Sequence, residues 1–117
     1  MLRIFQQTYH IPGTLAANIL PVYAMPCDAQ LLHVSFSNSA ASDAQLKIGT
    51  TVADAAYMAF KDVGDSDVPA EYGREDFVGA QFPHIPKGTL VKLTLDFDGN
   101  AGVAAANATV VLTFAEG

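Results

Sequence analysis

Leu90-Val91-Lys92-Leu93-Thr94-Leu95-Asp96-Phe97 and Ala108-Thr109-Val110-Val111-Leu112-Thr113-Phe114 decide how this chain folds. In the first, Val91, Leu93, Leu95 and Phe97 share one face, opposed by Lys92, Thr94 and Asp96. In the second, Ala108, Val110, Leu112 and Phe114 share a face, opposed by Thr109, Val111 and Thr113. Alternation with period two is the signature of a strand with one buried side. The two runs are read as an antiparallel hairpin, with both apolar rows on one side. The connector, residues 98–107, is longer than a tight turn and opens with Asp98-Gly99-Asn100, a good turn former. A lone hairpin is marginal in water, so the rest of the chain must supply a covering layer.

Working outward, Ala29–Ser37 is predicted as a strand with Leu32, Val34 and Phe36 on one face and Leu31, His33 and Ser35 on the other. Ala44–Gly49 is predicted as a short strand with Leu46 and Ile48 inward. Thr51–Ala56 is read as a helical turn feeding a short strand. Lys61–Arg74 is read as loop, because it carries Gly64, Pro69 and several aspartates. Asp76–Phe82 is read as a strand with a bulge at Gly79, and residues 83–88, with two prolines, as a turn. Around Ile19-Leu20-Pro21-Val22-Tyr23, Pro21 lacks an amide donor and restricts the segment to an edge strand or two short pieces. Seven or eight short strands with little helix define an all-β chain, an antiparallel β-sandwich of jelly-roll or immunoglobulin-like type.

The chain has 117 residues, enough for one domain and for burial of about two thirds of the unfolded surface. Residues 15–117 are read as a single sandwich domain and residues 1–14 as an N-terminal arm that ends where Pro12-Gly13 interrupts it. The arm carries Leu2, Ile4 and Phe5, and apolar clusters on a free tail mark contacts. It is expected to reach onto a neighbouring copy or another surface. The competing reading makes it an edge strand of its own sandwich.

Net charge is −6, and Arg3 and Arg74 are the only arginines. With no basic patch, neither nucleic acid nor an anionic membrane is an expected partner. One cysteine, Cys27, excludes an intrachain disulfide and fits folding in a reducing cytoplasm. The first eight residues lack the apolar core of a signal peptide, and no apolar run approaches the length of a membrane span. Charged residues make up 15%, below the usual share of about 25%. A surface so poor in charge is consistent with partial covering by partners.

No catalytic or metal constellation emerges. His10, His33 and His84 stand apart in the sequence, without the spacing of metal ligands. Nothing near Cys27 would lower its pKa as a nucleophile requires. Asp96-Phe97-Asp98-Gly99-Asn100 has its glycine too early for a calcium loop and no bidentate glutamate following. No enzymatic activity and no cofactor are expected.

Two further stretches carry a resemblance. Val22-Tyr23-Ala24-Met25-Pro26-Cys27-Asp28-Ala29-Gln30-Leu31 resembles the strand, proline turn and polar strand start that open small phage structural β-sandwiches. Phe82-Pro83-His84-Ile85-Pro86-Lys87-Gly88-Thr89-Leu90, with the ending Val110-Val111-Leu112-Thr113-Phe114-Ala115, resembles their closing strands. Over about residues 20–117 the chain resembles the tailed-bacteriophage capsid decoration, or cement, proteins of the small jelly-roll type. The resemblance implies binding without catalysis. Such a protein sits on the capsid surface of the virion, is made in the host cytoplasm, and bridges neighbouring copies of the major capsid protein as a homo-oligomer, dimer or trimer. Leu2, Ile4, Phe5 and Tyr9 of the arm and Val103 of the Ala-rich connector are then the expected interface residues. The alternative is a carbohydrate- or receptor-binding module of a phage tail or fibre, for which Tyr9, Tyr57 and Tyr72 are the available aromatic platforms.

Overall fold

The computed structural model describes residues 3–63, 69–99 and 102–117. Among the described residues, nine strands form two antiparallel sheets: β1 (Ile4–Thr14), β2 (Val22–Ala24), β3 (Ala29–Ser37), β4 (Gln45–Thr50), β5 (Met58–Asp62), β6 (Ala70–Tyr72), β7 (His84–Ile85), β8 (Leu90–Asp96) and β9 (Ala106–Glu116). One sheet runs β1-β9-β3-β6, with β7 also on β3; the other runs β2-β8-β4-β5. The inward rows of both sheets close one core. Its largest fully buried side chains include Phe36, Phe114, Met25, Leu31, Leu46, Ile48, Leu93 and Leu112. The chain is an all-β sandwich, as its alternating patterns predict.

The two deciding strands are not a hairpin. β8 pairs with β2 and β4, whereas β9 pairs with β1 and β3. Their apolar rows therefore belong to opposite layers of the sandwich. The long connector allows this, because a chain without a tight turn is free to cross between layers. Asp43 fixes the crossing. Its amide donates to the Val103 carbonyl at 2.9 Å, and its carboxylate accepts from the Val103 amide at 2.7 Å. Gly99, at φ +63°, lies so close that a Cβ there would meet the Asp43 carbonyl oxygen.

The stretch expected to be an arm forms β1 over residues 4–14. It pairs along β9 of its own chain, from Ile4 opposite Ala115 to Ile11 opposite Ala108 without a break in register. Phe5, Gln7, Tyr9 and Ile11 face inward and are half-buried, while Ile4, Gln6, Thr8 and His10 are exposed. Pro12 and Gly13 displace the register only beyond Ile11.

Five local readings change, one of them the turn expected over residues 83–88, where His84–Ile85 pairs with β3 as β7. Leu31 and not Leu32 joins Val34 and Phe36 in the core, because the register steps between Leu31 and His33 and leaves an extra residue opposite β9. Residues 51–56 form turns and no helix before β5 begins. The segment read as loop after Lys61 contains β6, three residues held against β3. Residues 76–82 are not a strand but part of two 3-10 turns, Arg74–Asp76 and Val78–Ala80, with Gly79 at φ +77° and Ala80 at φ +53°. Left-handed backbone at two successive residues cannot stay in a ladder. Phe77 still reaches the core from between the turns.

Candidate contact surface

The strands aim the two outer faces of the sandwich in chemically different directions. On the five-stranded sheet, the outward positions of β1, β9 and β3 are mainly Gln6, Thr8, His10, Thr109, Thr113, Ser35 and Ser37. The side chains bond among themselves: Gln6 Nε2 donates to Thr113 Oγ1 at 3.2 Å, and His10 Nδ1 lies 2.8 Å from Thr109 Oγ1. His33 and Glu71 approach to 3.5 Å on the same face. This surface is mainly polar, with Ile4 exposed at one end.

The four-stranded sheet presents the opposite chemistry. The register of β2 on β8 places Val22 beside Lys92 and Ala24 beside Leu90 on the outer face, and the Ile19–Leu95 bridge extends the same alternation to Leu20. Leu20, Val22 and Leu90 keep 51%, 46% and 47% of their surface, far too much for core residues. Across the sheet, the Lys47 ammonium stands 4.4 Å from the centroid of the exposed Phe60 ring and 3.1 Å from the Asp54 carboxylate. The 50–54 turn folds down over Gly49. The Thr50 hydroxyl accepts from the amides of Val52 and Ala53 at 3.3 and 3.0 Å, and a Cβ on Gly49 would strike the Ala53 carbonyl. Val52, 96% exposed, stands at the tip of this turn. The face thus combines exposed aliphatic groups, one aromatic ring, Lys47 and Lys92, two of the four lysines of an acidic chain, and the carboxylates of Asp54, Asp62 and Asp96.

The expected interface residues do not converge on one patch. Leu2 lies outside the described residues. Ile4 is exposed at the Ala115 end of β1. Val103 is exposed near the other end, where the Leu15 amide donates to the Ala105 carbonyl at 2.9 Å. Phe5 turns inward and stacks on Phe114 with ring centroids 5.2 Å apart. Tyr9 turns inward against Tyr23 at 6.0 Å. Tyr72 also faces inward, and its hydroxyl donates to the Asp62 carbonyl. Neither Tyr9 nor Tyr72 therefore offers an open ring face of the kind a sugar stacks on.

The outer apolar face escaped the sequence reading, although a signal for it was present. Ile19, Leu20, Val22 and Tyr23 are apolar in both phases of the alternation, the pattern of a strand covered on both sides. Here Ile19 and Tyr23 face the core, and Leu20 and Val22 face outward and stay about half exposed. Elsewhere the described residues gather no three His, Cys, Asp or Glu side chains in a position to hold a metal ion. Burial raises the phenol pKa of Tyr23, with the neighbouring Tyr9 adding to it, and burial also raises Tyr9 and Tyr57.

No known protein family matches the sequence, and no curated protein is similar to it. The fold is shared. A chain of the cyanophage Pam1 capsid asymmetric unit superposes over 99% of this chain and 85% of its own length, with a TM-score of 0.60 at 14% identity. A chain of infectious bursal disease virus, Gx strain, aligns over 98% of this chain and 32% of its own length, with a TM-score of 0.43 at 12% identity. The protein is thus an antiparallel β-sandwich of a kind found in a phage capsid.

Proposed function

We propose that this protein is a non-enzymatic virion structural protein, which binds the outside of a phage capsid and stabilises contacts between major capsid subunits. The uncovered apolar face of the four-stranded sheet carries this reading. Leu20, Val22, Leu90 and Phe60 are held on a rigid sheet with lysines among them, on a chain otherwise poor in charge. Large apolar side chains left exposed and grouped, as Leu20, Val22 and Leu90 are at the β2–β8 edge, mark a contact site. A sheet face of exposed side chains suits another protein's surface better than a small substrate. The fold shared with a phage capsid chain supports the same reading.

The physical role follows from repetition. One face of this size gives a modest contact, but many copies on a lattice of identical subunits tie neighbours together. The test is co-sedimentation with shells assembled from the phage's major capsid protein, followed by electron microscopy. The native chain is expected to pellet with shells and add density at subunit junctions. Val22→Lys with Leu90→Lys is expected to remain folded and stay in the supernatant. Binding by that variant equal to the native chain's would overturn the assignment of this face, and no binding by the native chain would overturn the function.

A further inference from the structure

The four sheet edges are not treated alike. β6 and β7 have three and two residues. β2 has three and follows Pro21. β5 carries Lys61 and Asp62 and has an irregular register on β4. Shortness, proline, charge and irregularity are the usual devices that stop an edge from recruiting another strand. β1 has none of them between Ile4 and Ile11: it is the edge of the five-stranded sheet, regularly paired on its inner side, and free of Asp, Glu, Lys, Arg and Pro there.

The phase of the ladder identifies which groups this edge offers. The Glu116 amide donates to the Arg3 carbonyl at 2.7 Å, so Arg3 and Glu116 form a hydrogen-bonded pair. Such pairs alternate along an antiparallel ladder, so Phe5, Gln7, Tyr9 and Ile11 bond to β9. Ile4, Gln6, Thr8 and His10 therefore direct their amides and carbonyls away from the sheet.

We infer that β1 pairs antiparallel with β1 of a second copy about a two-fold axis through Gln7. This register sets Ile4 opposite His10 and Gln6 opposite Thr8, which uses every outward amide and carbonyl of those four residues. It also sets Phe5 opposite Tyr9, twice, in the closer non-hydrogen-bonded pairs on the inner side, where aromatic partners favour each other. Gln7 meets its own copy. No charged side chain enters the central ladder, so two chains of net charge −6 bring no like charges into register there. This self-complementarity selects a second copy over an unrelated strand. The axis stands perpendicular to the sheet, so both apolar faces of the four-stranded sheets lie on the same side of the dimer. The pairing thereby deepens the proposed function without resting on it: a dimer would grip a shell at two points.

Sedimentation velocity on the free full-length chain, without shells, tests the pairing separately from shell binding. The native chain is expected to sediment as a dimer. Thr8→Pro removes one outward amide and none bonded to β9, and is expected to be a folded monomer. In a Cys27→Ser background, Gln7→Cys is expected to cross-link to a covalent dimer on mild oxidation. Ile4→Cys, whose copies would lie about 20 Å apart along the strands, is expected not to. A native monomer or trimer, a folded Thr8→Pro dimer, or cross-linking at Ile4→Cys in place of Gln7→Cys would each overturn the inference. If Thr8→Pro fails to fold, the two cysteine variants decide the question.

Discussion

The rings of Tyr9 and Tyr23 lie 6.0 Å apart, one on the edge strand of each sheet, and close the sandwich along that side. The Tyr23 hydroxyl is buried and has no hydrogen-bond partner among the described residues. A buried polar group left unpaired costs on the order of 1–3 kcal/mol, and an isosteric apolar replacement avoids that cost. Tyr23→Phe is therefore expected to hold or raise the melting temperature. A fall of several degrees would mean that the hydroxyl has a partner.

The same hydroxyl sets an alkaline limit. Burial, and secondarily Tyr9, raise the Tyr23 phenol above its ordinary value of 10.0, so the folded chain keeps a proton that the unfolded chain releases. The stability from this phenol is full below about pH 10 and falls as pH rises toward the native group's own titration. Denaturant melts across this range should show that fall, and Tyr23→Phe should reduce it. Equal slopes in the two proteins would remove Tyr23 as the cause.

Leu93 and Leu112, from opposite sheets, are 1% and 0% exposed in one core. Truncation of either to alanine is expected to cost about 2–5 kcal/mol. Aspartate at either position would bury an unpaired charge, and the variant is expected not to fold at all. Circular dichroism checks both, and a wild-type melting temperature in either aspartate variant would contradict the core assignment.

Removing residues 1–12 would uncover β9. Phe114 would lose its stack with Phe5, and the β9 backbone would lose its neighbour from Ala108 to Ala115. The truncated chain is expected to unfold or precipitate, not to persist as a stable core lacking a tail. A soluble truncation with an unchanged melting temperature would show that β1 adds nothing to the sandwich.

The crossing between layers depends on Asp43. Asp43→Ala removes the acceptor of the Val103 amide and is expected to cost about 1–2 kcal/mol, with Asp43→Asn losing less because its amide oxygen can accept the same bond. Gly99→Ala is expected to cost more than either, since it combines positive φ with a clash against the Asp43 backbone. Thermal melts should place Asp43→Asn highest, Asp43→Ala lower and Gly99→Ala lowest, and equal melting temperatures would remove Asp43 as the clamp.

The inward rows of β4, β8 and β9 were legible because their alternation is regular and one side is polar. Pairing was not legible, because Leu93 and Leu112 look the same from the sequence whether their strands adjoin or face each other across the core. In β3 a single extra residue exchanged Leu32 for Leu31, and period-two patterns carry no warning of such a step. β1 was obscured by Ile4, an exposed apolar residue beside the inward Phe5, and by Gln7 in the inward row. Among the expected contact residues, Ile4 and Val103 are exposed, but Phe5 and Tyr9 are apolar for the sake of their own core. The outer face of Leu20, Val22 and Leu90 became visible only when their strands were placed side by side.

The partnership of β1 with β9 also governs the order in which the molecule can form. Ile4 lies opposite Ala115, so β1 is made well before the strand it joins and has no partner on that side until β9 has followed. Closing a loop of this length comes before any reward from the contacts, and folds dominated by such distant pairings form in about milliseconds to seconds, far more slowly than helical bundles. During that interval Ile4–Ile11 is an uncharged strand with both edges open. A nascent chain in this state is the form most exposed to misassociation, and its yield is set by how fast β9 arrives.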